Sequence, residues 1–400
     1  MTPQSLRVLF AFSQERPKPV GTLSQNGRTS LFQFDDDFLA SPLPLSPFHL
    51  PVRPGVHAFD ARVGQETFGV FEDALPDGWG RRIVDARFMK RQGRLPSLLE
   101  RFASLGGDGL GALVFEPCDE EASSHPRDFR LDILARNAWD FHDCRVEDVL
   151  PALRRAAGSS GGARPKANVA FNPATGEVSA PEEPIPSGFE PWIVKFNARA
   201  DGKNAGAIEF AYAELAAEAG ANVAPHRLIE TKAGRFFATR RFDRAPGGQR
   251  LHLHSAAGLL EADFRTPGDE YALIFRLSAA LLRDAAAQRE LFLRACLNVF
   301  LHNRDDHLKN FSFLMDANGR WSLSPFYDFT YADGPGGWQT LSVAGEGANP
   351  GAEDLLRLAA QVGISANDAR DAIDRARAAR SRLAPLCREL GVRPPKMQSL

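Results

Sequence analysis

Near residue 300 the chain reads LHNRDDHLKNFSF, and eighteen residues after the asparagine that closes this stretch stands Asp328, in FYDFT. Arg304-Asp305 with Asn310 five positions beyond the aspartate forms an R-D-x-x-x-x-N box, and Asp328 opens a D-F-x tripeptide. Together they are the carboxylate and amide elements of a phosphoryl-transfer site. The spacing suits one aspartate to accept a hydroxyl proton while an amide oxygen takes Mg2+, with Asp328 as second metal ligand and ATP as phosphate donor. Asp305 and Asp306 are both candidates for the base, and the offset to Asn310 favours Asp305. A plainer reading is that Asp305, Asp306 and Asn310 cap helices and turns, as these residue types often do.

Between the two halves, FSFLM is a strand-length apolar run, DANGR is a turn, and WSLSP returns. A hairpin with near-equal arms brings its flanks together, which sets Asn310 and Asp328 at one open end. Upstream, PWIVKFN places Trp192, Val194 and Phe196 on one face of a strand and Ile193 and Lys195 on the other. A mid-strand lysine opposite aromatics is costly unless an anion meets it. The anion is a nucleotide phosphate, with Glu209 on the next helix steadying the ammonium, unless Lys195 is an edge-strand residue in solvent. GSSGGARPKAN holds three glycines in five positions ahead of Arg164 and Lys166, so its N–H groups can cradle phosphate oxygens or the segment is a flexible linker. ATRRFDR lies where a hinge strand would offer backbone to adenine with Phe242 against the ring; a core strand explains it equally well. His307 and Lys309 are within reach of the transferred phosphate, and His307 is equally placed for a buried structural role.

The elements that must position these residues follow from the rest of the chain. Four hundred residues, 44% hydrophobic and 24% charged, are ordinary globular material with room for two or three cores. A net charge of −2 gives no basic field for nucleic acid or a membrane surface. Cys118, Cys144, Cys296 and Cys387 show no C-x-x-C pair and are expected as buried thiols in a reducing compartment. No leader pattern or 18-residue apolar span is visible, so a soluble cytoplasmic protein is expected. Residues 5–35 read as short strands with a hairpin at Asn26-Gly27, Asp77-Gly78 breaks the chain ahead of a helix, and Asn172–Gly176 turns a second hairpin. Residues 205–220 form an Ala-rich helix stopped by Gly220. Beyond residue 250 the pattern turns helical. The fold class is α+β: a strand-rich lobe followed by a helical lobe with the catalytic box in a loop after a helix, a bilobal protein-kinase-like layout. Its units are expected at 1–145, 146–245 and 246–400.

In this order and combination, VGTL and LPDGWGRR, SGGARPKA, WIVKF, IEFAYAELA, RRFDR, DDHLKNFSF and SPFYDF resemble the HipA family of bacterial serine/threonine kinase toxins, over nearly the whole chain. The resemblance implies Asp305 as catalytic base, Asn310 and Asp328 as magnesium ligands and Lys195 as an ATP contact. It implies a phosphate loop at Gly161, Gly162, Ala163, Arg164, Pro165 and Lys166, and a hinge at Arg240, Arg241 and Phe242. His307, Lys309 and Tyr327 complete the implied ATP site. It further implies inactivating autophosphorylation at Ser159 or Ser160, a HipB-type DNA-binding antitoxin through which alone DNA is reached, and an aminoacyl-tRNA synthetase as a substrate. The chain departs from the family pattern in GGARPKAN where G-A-Q-E-K-T is usual, in Arg240 where a glutamate is common, and in Asp306 where glycine is frequent. None of these removes a catalytic group, though they leave the substrate open. Two other functions compete: a small-molecule kinase of the aminoglycoside or choline type, and a non-catalytic partner of a DNA-binding repressor.

Overall fold

The computed structural model describes residues 3–13, 16–105, 109–118, 129–144, 162, 164–181, 185–198, 202–245, 248–265 and 268–396. The N-terminal unit is built on β1 (Ser5–Phe10), β2 (Lys18–Asn26), β3 (Thr29–Phe34), β4 (Val56–Asp60) and β5 (Leu113–Glu116), in the antiparallel order β4-β3-β2-β1-β5. Leu6, Val8 and Phe10 alternate into its core while Ser5 and Arg7 face out, the period of a half-buried strand. The β2–β3 hairpin closes at Asn26 opposite Thr29, so its central pair is Gly27-Arg28, with Gly27 at φ +58°. Glycine takes the left-handed first position that a two-residue hairpin demands. The turn therefore sits one residue beyond the Asn-Gly pair. Helices α1 (Asp36–Ala40), α2 (Gly69–Glu72), α3 (Gly78–Gln92), α4 (Leu98–Ala103) and α5 (Leu131–His142) surround this sheet and the next.

The second sheet holds β6 (Lys166–Phe171), β7 (Val178–Ser179), β8 (Glu190–Lys195), β9 (His226–Thr231) and β10 (Gly234–Arg240), in the order β7-β6-β8-β10-β9. Its core face joins Val169, Trp192, Val194, Phe196 and Phe236 with Leu134 and Ala138 of α5 and with Trp79 and Ile83 of α3. By packing, α5 and the start of α3 thus sit on this sheet, although both fall within residues 1–145. Helix α6 (Ala205–Glu218) follows β8, and Gly220 at φ +87° ends it. The third sheet, β11 (His252–Ser255), β12 (Ser312–Met315) and β13 (Trp321–Leu323), runs β11-β12-β13. Helices α7 (Ala256–Leu260), α8 (Tyr271–Leu282), α9 (Ala285–Phe300), α10 (Ala352–Val362) and α11 (Ala366–Glu389) complete the helical lobe.

Two polar seams join the N-terminal unit to the remainder. In one, Asp73 accepts from Ser255 N (2.6 Å) and Ser255 Oγ (2.6 Å) and lies 2.6 Å from His254 Nδ1, whose Nε2 is 3.0 Å from Ser46 Oγ. There α2 and α7 touch through bare backbone: a Cβ on Gly69 would stand 2.0 Å from Gly258 O, and one on Gly258 2.2 Å from Asp73 Oδ2. In the other, Asp243 accepts from Gly111 N (2.8 Å) and from Arg241 and Arg244, whose guanidinium groups also donate to Gly109 O. Burial opposes the Asp243 charge, but the two arginines outweigh it and hold the carboxyl far below its usual range.

Of the four cysteines, Cys296 and Cys387 are buried thiols, whereas Cys118 and Cys144 are exposed, contrary to the expectation of four buried ones. Both exposed residues lie outside strands and helices, where no core covers them. No helix among the described residues is long and apolar enough to cross a membrane.

Candidate active site

A cavity of about 480 Å3 opens where the second sheet, the 301–310 loop and the N-terminal unit meet, within the range of small-molecule sites. Because Trp192 and Val194 anchor the core face of β8, Lys195 is driven to the cavity side. Its Nζ lies 2.5 Å from Glu209 Oε1 on α6 and 2.5 Å from Asp328 Oδ1. Burial favours a neutral Lys195, yet the Asp328 and Glu209 carboxylates outweigh it and raise its pKa. In return the Lys195 charge, against the pull of burial, holds Asp328 far below the usual carboxylate range. Asp328 sits at φ +55°, a left-handed conformation uncommon for a residue with a side chain and concentrated at functional sites.

The hairpin between the two halves of the box forms: Phe313 pairs with Leu323 and Met315 with Trp321, and Ser324 N donates to Ser312 O (3.0 Å). At its open end Tyr327 Oη donates to Lys309 O (2.7 Å), which pins Asp328 beside the 308–310 turn. Asn310 Nδ2 donates to Asp305 O (2.8 Å), which turns the amide oxygen the other way. Among the described residues no cluster of three or more His, Cys, Asp or Glu could cage a cation. The chemistry of the two donors, one carboxylate and one amide oxygen, is that of ligands for a hard divalent cation such as Mg2+.

Asp305 and Asp306 point opposite ways. The Asp305 side chain is 59% exposed and lines the cavity. Enclosure by the cleft walls raises its pKa and the Asp328 charge adds to that, while His307, 3.9 Å away, opposes. Asp306 is buried and accepts from Gln339 Nε2 (2.8 Å), Thr340 N (3.0 Å), Leu341 N (3.3 Å) and the Tyr271 hydroxyl. These bonds tie the loop to the helical lobe, and of the two aspartates Asp305 is the one that lines the cavity.

Of the glycine-rich loop, Gly162, Arg164 and Lys166 line the cavity, while Pro165 is buried and its carbonyl accepts from Phe196 N (2.8 Å). Gly161, Ala163, Ser159 and Ser160 lie outside the described residues. Lys166 pairs directly with Lys195 across β6 and β8. Burial, then the Lys195 charge, lowers its pKa. In the hinge, Arg240, Arg241 and Phe242 all border the cavity. The Arg241 guanidinium, however, is committed to Asp243, and Phe242 packs on Tyr327 at 5.3 Å between ring centroids. His307 packs at a tilt against Phe264 with ring centroids 4.9 Å apart, and Lys309 Nζ donates to Asp77 Oδ2 at 2.5 Å.

Among the cavity residues that a reading of the sequence does not assign to the site are Asp73, Asp77 and Phe264. Asp77 stands in LPDGWG, where the Asp-Gly pair signals only a helix start, and nothing local says that its side chain serves other elements. Asp73 and Phe264 carry no local signal either.

Comparison with known proteins agrees with this architecture. Residues 158–383 match the HipA-like C-terminal domain and residues 15–116 the HipA N-terminal domain. The structure superposes, with a TM-score of 0.65 and 21% identity, on a chain of the Shewanella oneidensis MR-1 toxin–antitoxin complex of HipA, HipB and operator DNA, covering 98% of this chain and 92% of that one. A Haemophilus influenzae protein provisionally named a kinase is 29% identical over 102 residues, 23% of this chain and 30% of that relative's length.

Proposed function

The chain belongs to the HipA family, and on that premise we propose that it is an ATP- and Mg2+-dependent serine/threonine protein kinase, the toxin of a toxin–antitoxin pair. The observation that carries the reading is Lys195 held between Glu209 and Asp328, with Asp305 facing the same cavity. A strand lysine steadied by a helix glutamate, an aspartate and an amide for metal, and a separate aspartate for the acceptor hydroxyl are the parts of a kinase site. Lys195 grips the nucleotide phosphates. Asn310 and Asp328 hold Mg2+, which neutralises charge on the phosphates when bound. Asp305 receives the proton of the acceptor hydroxyl, a task helped by its raised pKa. Lys166 and Lys309 add positive charge beside the transferred group.

The partner proposed is a HipB-type antitoxin that carries the DNA contact, by analogy with the Shewanella complex; the substrate proposed is a host protein such as an aminoacyl-tRNA synthetase. Autophosphorylation at Ser159 or Ser160 would shut the enzyme off. Incubation with γ-labelled ATP and Mg2+ tests the reading. Label should enter protein serine or threonine with wild type and not with Asp305→Asn, and equal labelling by the two would sink it. Mass spectrometry of the same sample should find phosphate on Ser159 or Ser160.

A further inference from the structure

Asp77 occupies the N-cap position of α3, with extended backbone at φ −111° and ψ 174°. An aspartate there ordinarily accepts from the first-turn amides of its own helix, but Asp77 makes no such bond. Both carboxylate oxygens serve other elements. Oδ1 accepts from Gly162 N in the glycine-rich loop, and Oδ2 accepts from Lys309 Nζ in the catalytic loop at 2.5 Å. These partners lie 85 and 232 residues away. The adjoining residues reinforce the contact: Trp79 N donates to Gly162 O (2.9 Å) and Trp79 Nε1 to Lys166 O (3.0 Å).

We propose that Asp77 is a positioning residue of the phosphoryl-transfer site, through which the N-terminal unit sets both Gly162 and Lys309 for ATP. The proposal rests on the kinase reading above. Its electrostatic logic is local. Lys166, Lys195 and Lys309 all border the cavity, as do Asp305 and Asp328. A Lys309 ammonium without a fixed acceptor swings toward whichever carboxylate is nearest, and the base and the metal ligand are both in range of the same cavity. Asp77, with 15% of its side chain exposed, also lines the cavity and gives that charge a fixed acceptor 2.5 Å away. The same carboxylate fixes Gly162 at φ +90°, so one residue couples loop and lysine. The N-terminal unit is then a working part of the active site rather than a support for it.

Two substitutions separate the two bonds. Asp77→Asn keeps an oxygen for the Gly162 amide and removes the charge that holds Lys309; kcat should fall about tenfold to a hundredfold with KM for ATP within about threefold, the loss expected for a hydrogen bond to a charged group. Asp77→Ala removes both bonds and should raise KM for ATP as well. Because Asp77→Asn acts through Lys309, adding it to Lys309→Gln should cost little more, whereas independent effects multiply. Amide exchange at Gly162 reads the clamp without activity and should quicken at least about tenfold in Asp77→Ala. A kcat for Asp77→Asn within twofold of wild type, multiplying losses in the double variant, or unchanged Gly162 exchange each overturns the proposal. Wild type that transfers no phosphate refutes the kinase reading instead, and the exchange result then decides the clamp alone.

Discussion

Two clusters of hydrogen-bonded ionisable groups in this molecule look alike in connectivity and differ in what they can do. In the cleft, Lys195 meets Glu209 and Asp328 at 2.5 Å each. In the seam, Asp73 meets His254 at 2.6 Å and His254 meets Ser46 at 3.0 Å. The second has the acid–base–nucleophile connectivity of a hydrolase triad. Yet Ser46 is 2% exposed and His254 0%, so no acyl group can approach, and Ser255 takes up the Asp73 oxygens. The cleft cluster borders a cavity large enough for a nucleotide and lies beside a half-exposed aspartate. Connectivity alone does not make a site; access does.

The contrast can be broken at either end. The largest effect belongs to the cleft: Asp305→Asn should lower kcat about 10³-fold, within the range of a lost general base, with the unfolding midpoint unmoved. A coincident fall in thermal stability would place Asp305 in the architecture instead. Asp73→Ala should do the reverse, costing about 3–4 kcal/mol in urea unfolding because it strips the buried partner of His254 and Ser255. Normal stability would show that the seam is not a clasp.

Asp306 supplies a pH test of which of the adjacent aspartates is structural. Burial, outweighing the Tyr271, Gln339 and Leu341 hydrogen bonds, pushes its pKa up to about 6 from 3.8. The folded state then binds the proton more tightly than the unfolded one. The resulting stability is fully present below about pH 4 and is lost as pH rises through about 6, roughly 3 kcal/mol in all. The difference in unfolding free energy between wild type and Asp306→Asn should narrow by roughly that amount between pH 3 and 8, and a flat difference would remove Asp306 from the core network. The smallest effect is at Ser46: Ser46→Ala should cost about 1 kcal/mol and leave phosphate transfer intact. Esterase activity in wild type that vanishes in this variant would turn the clasp back into a triad.

Much of the site was legible because it depends on local spacing. The 313–323 hairpin follows from its turn and matched arms, and the face of Lys195 follows from strand alternation beside Trp192 and Val194. Glu209 follows from helical placement after that strand. Cys118 and Cys144 are exposed where buried thiols are expected, since residue type says little about whether a core covers a loop. Strand β9 and β11, the edge strand of the third sheet, carry no local signal: β11 finds its hydrogen bonds on β12, some sixty residues away, and no periodicity in LHLHS announces that pairing.

What the sequence determined by itself was the set of chemical groups and their order, because turn, strand and helix periods act over a few residues. The tertiary structure alone decided which of Asp305 and Asp306 faces the cavity, since that depends on the Gln339–Leu341 segment closing over one of them. It alone brought Asp77 from the N-terminal unit against Gly162 and Lys309, because a contact spanning 85 or 232 residues is set by the packing of whole units and leaves no trace in local pattern.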